Sequence, residues 1–485
     1  MDNLFNEDIT NEYAKASSCI LQITQREPYL SGKGVIIAII DSGIDFYLPE
    51  FLDSNGNTRI LSIWDQTDNP RLYTQEQINE AIRLGRIEGS RIVPAEDISG
   101  HGTAVAAIAA GTISGVAPQA EILVIKLGSS GRNSFPLTTQ LMRGINFAVN
   151  TGIERNMPVA VNISYGNTYG DHQGNSLLER FIDNASEIGR TSIVIGSGNE
   201  GISRGHISGT LNRRTELELA VSDFETGLSI QLWKYYQDKY RITIVSPNGE
   251  MLDFDTFGSR EAQIIKRRLE NTDLMCFIGV PLPYNINQEI FIDMIPDLYI
   301  ASGIWKIIIE PVDIVTGEYN IYLPGYAVRN AGTGFLNATP DTTITIPSTS
   351  NKAITVGAYN VNMQSYADFS GRGFVYRNVI NKASEQIQGI VQVKPEIAAP
   401  GVDISVPVVG GGYERVSGTS FATPFVTGVS ALLMEWGIIR ENDRYMYGEK
   451  LKAFLIDSAQ PILGEAQYPN DKTGWGRLCV NSDSL

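Results

Sequence analysis

The sequence predicts an α/β protein, a doubly wound, mostly parallel sheet into which an all-β domain is inserted. Three observations carry that prediction. Short continuous apolar runs alternate with helical stretches in the N-terminal part, period-two alternation replaces them in the middle, and the first pattern returns towards the C-terminus.

Residues 34–40, GVIIAII, end at Asp41-Ser42-Gly43 and read as a strand buried on both faces. The small-residue segment HGTAVAAIAAG at 101–111 reads as a tightly packed helix and leads to a second run, EILVIKL, at 121–127. PVAVNISYG (158–166) and TSIVIGSGNEG (191–201) repeat the theme, with LLERFIDNASEIG between them carrying apolar residues at helical spacing. From about 208 to 345 the texture is alternating and turn-rich, as in SIQLWKYYQDKYRITIVSPNGE and GIWKIIIEPVDIVTGEYNIYLP. AITVGAYN at 353–360 restores the α/β pattern, which runs through KPEIAAPG into the helix-like SFATPFVTGVSALLMEWG. The expected division is therefore 1–205 and 346–485 for the interrupted α/β domain and 206–345 for the insert.

The 485 residues are 42% apolar and 19% charged, the composition of a folded globular chain. Thirty-eight basic against 54 acidic residues leave a net charge of −16, which argues against a nucleic-acid partner held through phosphates. Cys19, Cys276 and Cys479 are odd in number, far apart and without a CxxC pair, so the expectation is neither a disulfide framework nor a zinc site, and a reducing compartment. The start, MDNLFNEDITNEY, lacks the basic and apolar regions of a secretion signal, and no apolar run approaches the ~18 residues of a membrane span. The expectation is a protein made in the cytoplasm without a leader and without a membrane partner.

In open α/β sheets, reacting groups gather beyond the carboxyl ends of the strands. Asp41 ends the first run in IIDSGID; alone, it reads as a turn former or helix cap. His101 opens the Ala-rich helix in SGHGTAVAAIAAG, where Gly102 permits close approach; His172 and His206 lie in Gly-rich, polar sequence. A neutral imidazole can take a proton from a hydroxyl while a carboxylate on its other nitrogen fixes the tautomer. Ser420, in SGTSFATPF, sits where a turn of small residues enters an apolar helix, so its hydroxyl lies near free N–H groups that favour developing negative charge. Asn199, in GSGNEG, supplies a side-chain amide at a strand end, where a plain turn role is the competing reading.

Taken together, IIDSGID, GHGTAVAAIAAG, SGNEG and GTSFATPFVTG resemble the subtilisin-like serine proteases, in the same Asp, His, Asn, Ser order. The resemblance covers about 1–205 and 346–485, including VKPEIAAPG and GWGRLCVN, and leaves the insert outside. It implies a subtilisin-like fold and an endopeptidase in which Asp41 orients, His101 acts as general base and then acid, Ser420 is the nucleophile, and Asn199 joins the Ser420 N–H in holding the oxyanion. By the same resemblance, Ser164, Tyr165 and Gly166, with Gly196, Ser197 and Gly198, form walls of a substrate pocket. Gly128, Ser129 and Ser130 would pair with the substrate backbone as an added strand.

A narrower resemblance is to the Csp germination proteases of clostridial spores. It rests on RILSIWDQT and YTQEQINEAI in the 60-residue gap from Asp41 to His101, on the insert within the 221-residue gap from Asn199 to Ser420, and on GWGRLC. It implies an inserted jelly-roll-like domain, a protein substrate such as the precursor of a spore cortex hydrolase, and packaging of the chain in the spore. Only 40 residues precede Asp41, too few for the family's usual prodomain plus a mature N-terminal segment, so a prodomain is expected to be absent, already removed or a separate polypeptide. No cofactor is required. Calcium is the family's usual ion, yet in LDSNGNTRI (52–60) Thr58 falls where a calcium loop has glycine, and a hairpin turn is the better reading. A catalytically silent sensor or scaffold on the same fold, and a binding module built on the insert, are the competing functional classes.

Overall fold

The computed structural model describes residues 11–67, 69–128, 136–258, 261–381, 386–480 and 485, with backbone alone for 377–381 and 386–391. The chain divides into two compact units, one of residues 1–166, 178–198 and 350–485, the other of 167–177 and 199–349. The second unit thus reaches beyond the 206–345 expected from sequence texture.

The first unit is built on a nine-stranded sheet. Its first six strands are β1 (Ile36–Asp41), β2 (Ile60–Asp65), β3 (Arg71–Thr74), β4 (Glu121–Lys126), β5 (Val159–Ile163) and β6 (Thr191–Gly196). Across the sheet the order runs from Ser365–Tyr366 to Ile354–Asn360, β6, β5, β1, β4, β2 and β3, and Ile397–Pro400 also pairs with Ile354–Asn360. β1 is parallel to β4 on one side and to β5 on the other, whereas β3 and Ser365–Tyr366 close the edges antiparallel. The sheet is mixed but mainly parallel, as a doubly wound reading requires, and β1 lies where the strand order reverses.

β1 shows why its run is continuous rather than alternating. Ile37 and Ile39 join one core with the His101–Ala110 and Thr419–Met434 helices, while Ile36, Ala38 and Ile40 join another with the Thr138–Arg155 and Leu177–Ala185 helices. All five are fully buried, and each large side chain so buried contributes roughly 1.5–3 kcal/mol relative to exposure. The small residues of His101–Ala110 let two helices approach closely: a Cβ on Gly428 would lie 2.5 Å from Val116 Cβ and 2.9 Å from the Ala109 carbonyl. Thr419–Ile439 is long and apolar enough to cross a bilayer by length and composition, but 89% of its apolar 18-residue window is buried inside the protein, as in a core helix.

The second unit holds two antiparallel sheets of five and six strands around a core that includes Tyr240, Trp305 and Phe335. The alternation read from the sequence appears as core membership at every second position: Leu228, Ile230 and Leu232, then Tyr240, Ile242 and Ile244, then Trp305, Ile307 and Ile309 join this core, while Ser229 and Gln231 between the first three are buried outside it.

The cysteine expectation is corrected: Cys19 and Cys479 form a disulfide, their Cα atoms 4.8 Å apart, while Cys276 is free and buried. Their separation of 460 residues hid the pairing, because only the fold brings the first helices to the GWGRLC segment.

Candidate active site

Asp41 is the last residue of β1, 6% exposed, at the carboxyl end where a crevice forms in such sheets. Its Oδ1 lies 2.7 Å from His101 Nδ1 and accepts the Ser42 N–H at 2.7 Å. Oδ2 is shut from solvent with no hydrogen-bond partner among the described residues. The imidazole therefore faces a carboxylate with accepting capacity to spare.

His101 begins its helix directly after Gly100, which adopts φ +76°. The close approach expected at Gly102 is severe: a Cβ there would lie 2.3 Å from the Gly43 carbonyl oxygen and 3.1 Å from Asp41 Cβ. Burial works against the imidazolium, but the Asp41 charge and hydrogen bond, with a smaller contribution from Asp97, outweigh it and raise the His101 pKa. The Phe421 ring sits 5.5 Å from the imidazole, so the start of the Thr419–Met434 helix lies against His101.

Ser420 is the second residue of that helix. Its Oγ donates to the Ser164 carbonyl at 3.4 Å, and Ser164 Oγ donates in return to the Ser420 carbonyl at 2.9 Å. Behind them Asn162 Nδ2 donates to Ser164 Oγ and Asn162 Oδ1 accepts from Thr427 Oγ1, both at 2.9 Å. A fully buried asparagine in β5 thus ties the strand end to the Ser420 helix. Gly196 serves the same packing, since a Cβ there would lie 2.8 Å from Thr423 Oγ1.

The remaining candidates occupy varied positions. Gly198 N–H donates to Thr419 Oγ1 at 3.1 Å, and Ser197 is fully buried with its hydroxyl 3.2 Å from that of Ser370. Tyr165 packs against the core formed by β1, β4 and β5, and Gly166, three residues past β5, ends the first stretch of the first unit. Gly128 is buried, with Gln66 and Gln140 within 3.1 Å of where its Cβ would stand. Ser129 and Ser130 lie outside the described residues. Asn199 is half-buried, follows Gly198 directly and begins the longer stretch, 199–349, of the second unit.

Among the described residues, no three His, Cys, Asp or Glu side chains gather as a metal site. In LDSNGNTRI, Asp53 Oδ1 accepts the N–H groups of Asn55 and Asn57, both at 2.8 Å, and Leu52 bridges Thr58. This carboxylate closes a hairpin turn. With Asp53 committed to these two backbone N–H groups, the loop does not present a calcium ligand set.

Sequence reasoning missed Asp97 and Asn162. Asp97 stands four residues before His101, three ahead of the helix's N-cap residue Gly100, and Asn162 is hidden in an apolar run.

The Subtilase family pattern matches residues 32–264 and 326–476. The chain belongs to the Subtilase family. These are the S8 serine peptidases, which use no organic cofactor. This subtilase is 35% identical to the CspB protease of Clostridium perfringens, covering 97% of this chain and 96% of that one with a TM-score of 0.86. It is 24% identical to the minor extracellular protease Vpr of Bacillus subtilis over its full length, and 34% identical over 140 residues to pyrolysin of Pyrococcus furiosus. It spans 57% of Vpr's length, and its match covers 9% of pyrolysin. The fold is the subtilisin-like α/β fold with additional antiparallel sheets.

Proposed function

We propose that this subtilase is a serine endopeptidase in which His101, oriented by Asp41, takes the proton of Ser420 as its hydroxyl attacks a peptide carbonyl. An acyl-enzyme forms, and His101 returns the proton to the leaving amine. The observation that carries the reading is the 2.7 Å contact between Asp41 and His101 beside the helix that begins with Thr419-Ser420. By its motif, Asn199 supplies the oxyanion donor with the Ser420 N–H; losing one such donor typically costs about 10²–10³ in rate.

The finer reading is a germination protease that activates the precursor of a spore cortex hydrolase. The DQT and GWGRLC segments and the likeness to CspB support it. On the same grounds we read the inserted sheets as a jelly roll, and the chain as made in the cytoplasm and packaged in the spore.

The test is labelling of the purified chain by a fluorophosphonate, located by peptide mass spectrometry. Label on Ser420, lost in Ser420→Ala and weakened in His101→Ala, is the expected result. A folded chain that takes no label overturns the active-protease reading in favour of a silent scaffold. Incubation with a cortex-hydrolase precursor then tests the substrate: cleavage by the native chain and none by Ser420→Ala is expected, and an intact precursor alongside labelled Ser420 rejects that substrate alone.

A further inference from the structure

We propose that Asp97 is a positioning residue of this site, its carboxylate locking the strand end that carries Asp41 to the helix start that carries His101. The inference rests on the reading of Asp41, His101 and Ser420 as the reacting groups.

An aspartate just before a helix is ordinarily a cap, and Asp97 does cap: Oδ1 accepts the Gly100 N–H at 3.0 Å and Oδ2 accepts the Thr103 N–H at 2.9 Å. Three hydroxyls add to these. Ser99 Oγ at 3.2 Å and Ser42 Oγ at 2.8 Å donate to Oδ1, and Thr103 Oγ1 at 2.7 Å donates to Oδ2. Asp97 is 2% exposed, so this is a buried charge compensated by five donors. A cap needs none of the reach to Ser42.

The Ser42 contact is what makes the carboxylate a link between elements. Ser42 follows Asp41, and its N–H holds Asp41 Oδ1, the atom facing His101. The Ser42 hydroxyl that donates to Asp97 also accepts the Gly102 N–H at 3.0 Å, one residue beyond His101. Asp97, Ser42 and Gly102 therefore form a closed brace across the gap that the imidazole bridges. Thr103 adds a strut, since its Oγ1 accepts the Asp45 N–H at 2.9 Å from the loop after β1. Because Gly102 has no room for even a Cβ against Gly43, slack in this brace passes directly into the Asp41–His101 distance. An asparagine at 97 would place an NH₂ where the site offers donors.

The charged groups acting on His101 are Asp41 from β1 and Asp97 from the preceding loop. Beyond Thr103, Asp45 is paired with Arg86 at 2.8 Å. Removing the Asp97 charge makes the imidazolium less favoured and lowers the pH at which His101 loses its proton.

The experiment measures the second-order rate of fluorophosphonate labelling of Ser420 against pH. Asp97→Asn is expected to slow labelling by ~10–100-fold and to move the acid limb to lower pH. Ser42→Ala keeps the charge and the helix cap; it is expected to slow labelling without moving the limb, and the double variant to lose less than the product of the two. Asp97→Asn that labels at the native rate, with its limb in place and only its melting temperature lowered, overturns the proposal. If Asp97→Asn fails to fold, Ser42→Ala labelling at the native rate overturns it. A native chain that folds and takes no label overturns the underlying catalytic reading, and this proposal with it.

Discussion

The two units bury polar groups for different ends. In the α/β unit they converge on strand ends: Asp97, Asn162 and Ser164 each link a residue that chemistry would use to a neighbouring element. In the β unit they hold shape. Lys234, 2% exposed, gives its ammonium to the carbonyls of Asp238 and Tyr235 over the Tyr240 ring, and burial pushes its pKa down to about 8. Asp238 takes four bonds from residues 315–317 and so fixes a turn. The lesson is that a buried charge is informative through what its partners do, and partners that lie next to a strand-end carboxylate and a helix-start histidine point to function.

The largest expected contrast is in rate without stability. Asp41→Asn leaves the shape of the buried side chain intact but removes the charge that fixes the His101 tautomer, and should lower turnover or labelling by ~10⁴-fold. Circular dichroism and melting temperature should stay near native. A loss of less than tenfold would erase the functional half of the comparison.

Next is a buried pair in the same unit that touches no reacting group. Lys394 is fully buried, donates to Thr355 Oγ1 at 2.9 Å and meets Glu396 at 2.9 Å; burial pushes it down to about 8 despite Glu396. Lys394→Met leaves Glu396 to Lys452 and the Thr355 N–H and should cost ~3–5 kcal/mol in urea unfolding. Native labelling rates below the transition are expected. If labelling collapsed while the fold held, the division between bracing and chemistry within this unit would be wrong.

The disulfide sharpens the comparison from the covalent side, because it ties the first helices to the C-terminal segment within the α/β unit. Cys19→Ser, or reduction, should lower stability by about 2–4 kcal/mol, read as a fall in melting temperature. No change between oxidised and reduced chains would show that packing alone holds these segments.

Much of this architecture was legible in the sequence, and the omissions share a cause. The strand runs, the texture change at the insert, and the four motifs at Asp41, His101, Asn199 and Ser420 are local signals, each readable within about a dozen residues. The Asp41–His101 contact follows from strand-end geometry. What escaped is long-range. Asn162 earns its place through Thr427 and Ser164, Asp97 through Ser42, and Cys19 through Cys479. The DQT segment likewise has a partner far away: Gln66 and Gln140 exchange amide–carbonyl bonds at 3.2 Å beneath Gly128. Periodicity reports which face a residue shows, not which residue meets it there.

The smallest expected effect belongs to the β unit and tests whether its buried titratable groups govern stability alone. His172 and His206 both stack on one ring, Tyr322, at 3.8 and 4.4 Å. Burial, more than any other influence, pushes His172 down to about 4, with backbone hydrogen bonds, His206 and Asp171 as lesser influences; His206 is lowered chiefly by burial too. Between about pH 6.5 and 4 the unfolded chain takes a proton on His172 that the folded unit refuses, so stability present above pH 6.5 is lost as pH falls through this window. A shift of this size sets a ceiling on the order of 3 kcal/mol. The realised loss should fall below it: His172 Nδ1 and Nε2 lie 2.5 and 3.2 Å from the carbonyls of Ile344 and Thr168, and only the imidazolium can donate to both. Urea midpoints of the intact chain, followed by hydrogen exchange in peptides from 206–245, should decline from pH 7 to pH 4, and His172→Gln should flatten the decline. A flat native profile would mean that the folded unit protonates His172 as readily as the unfolded chain does, and that burial of this histidine does not govern stability there.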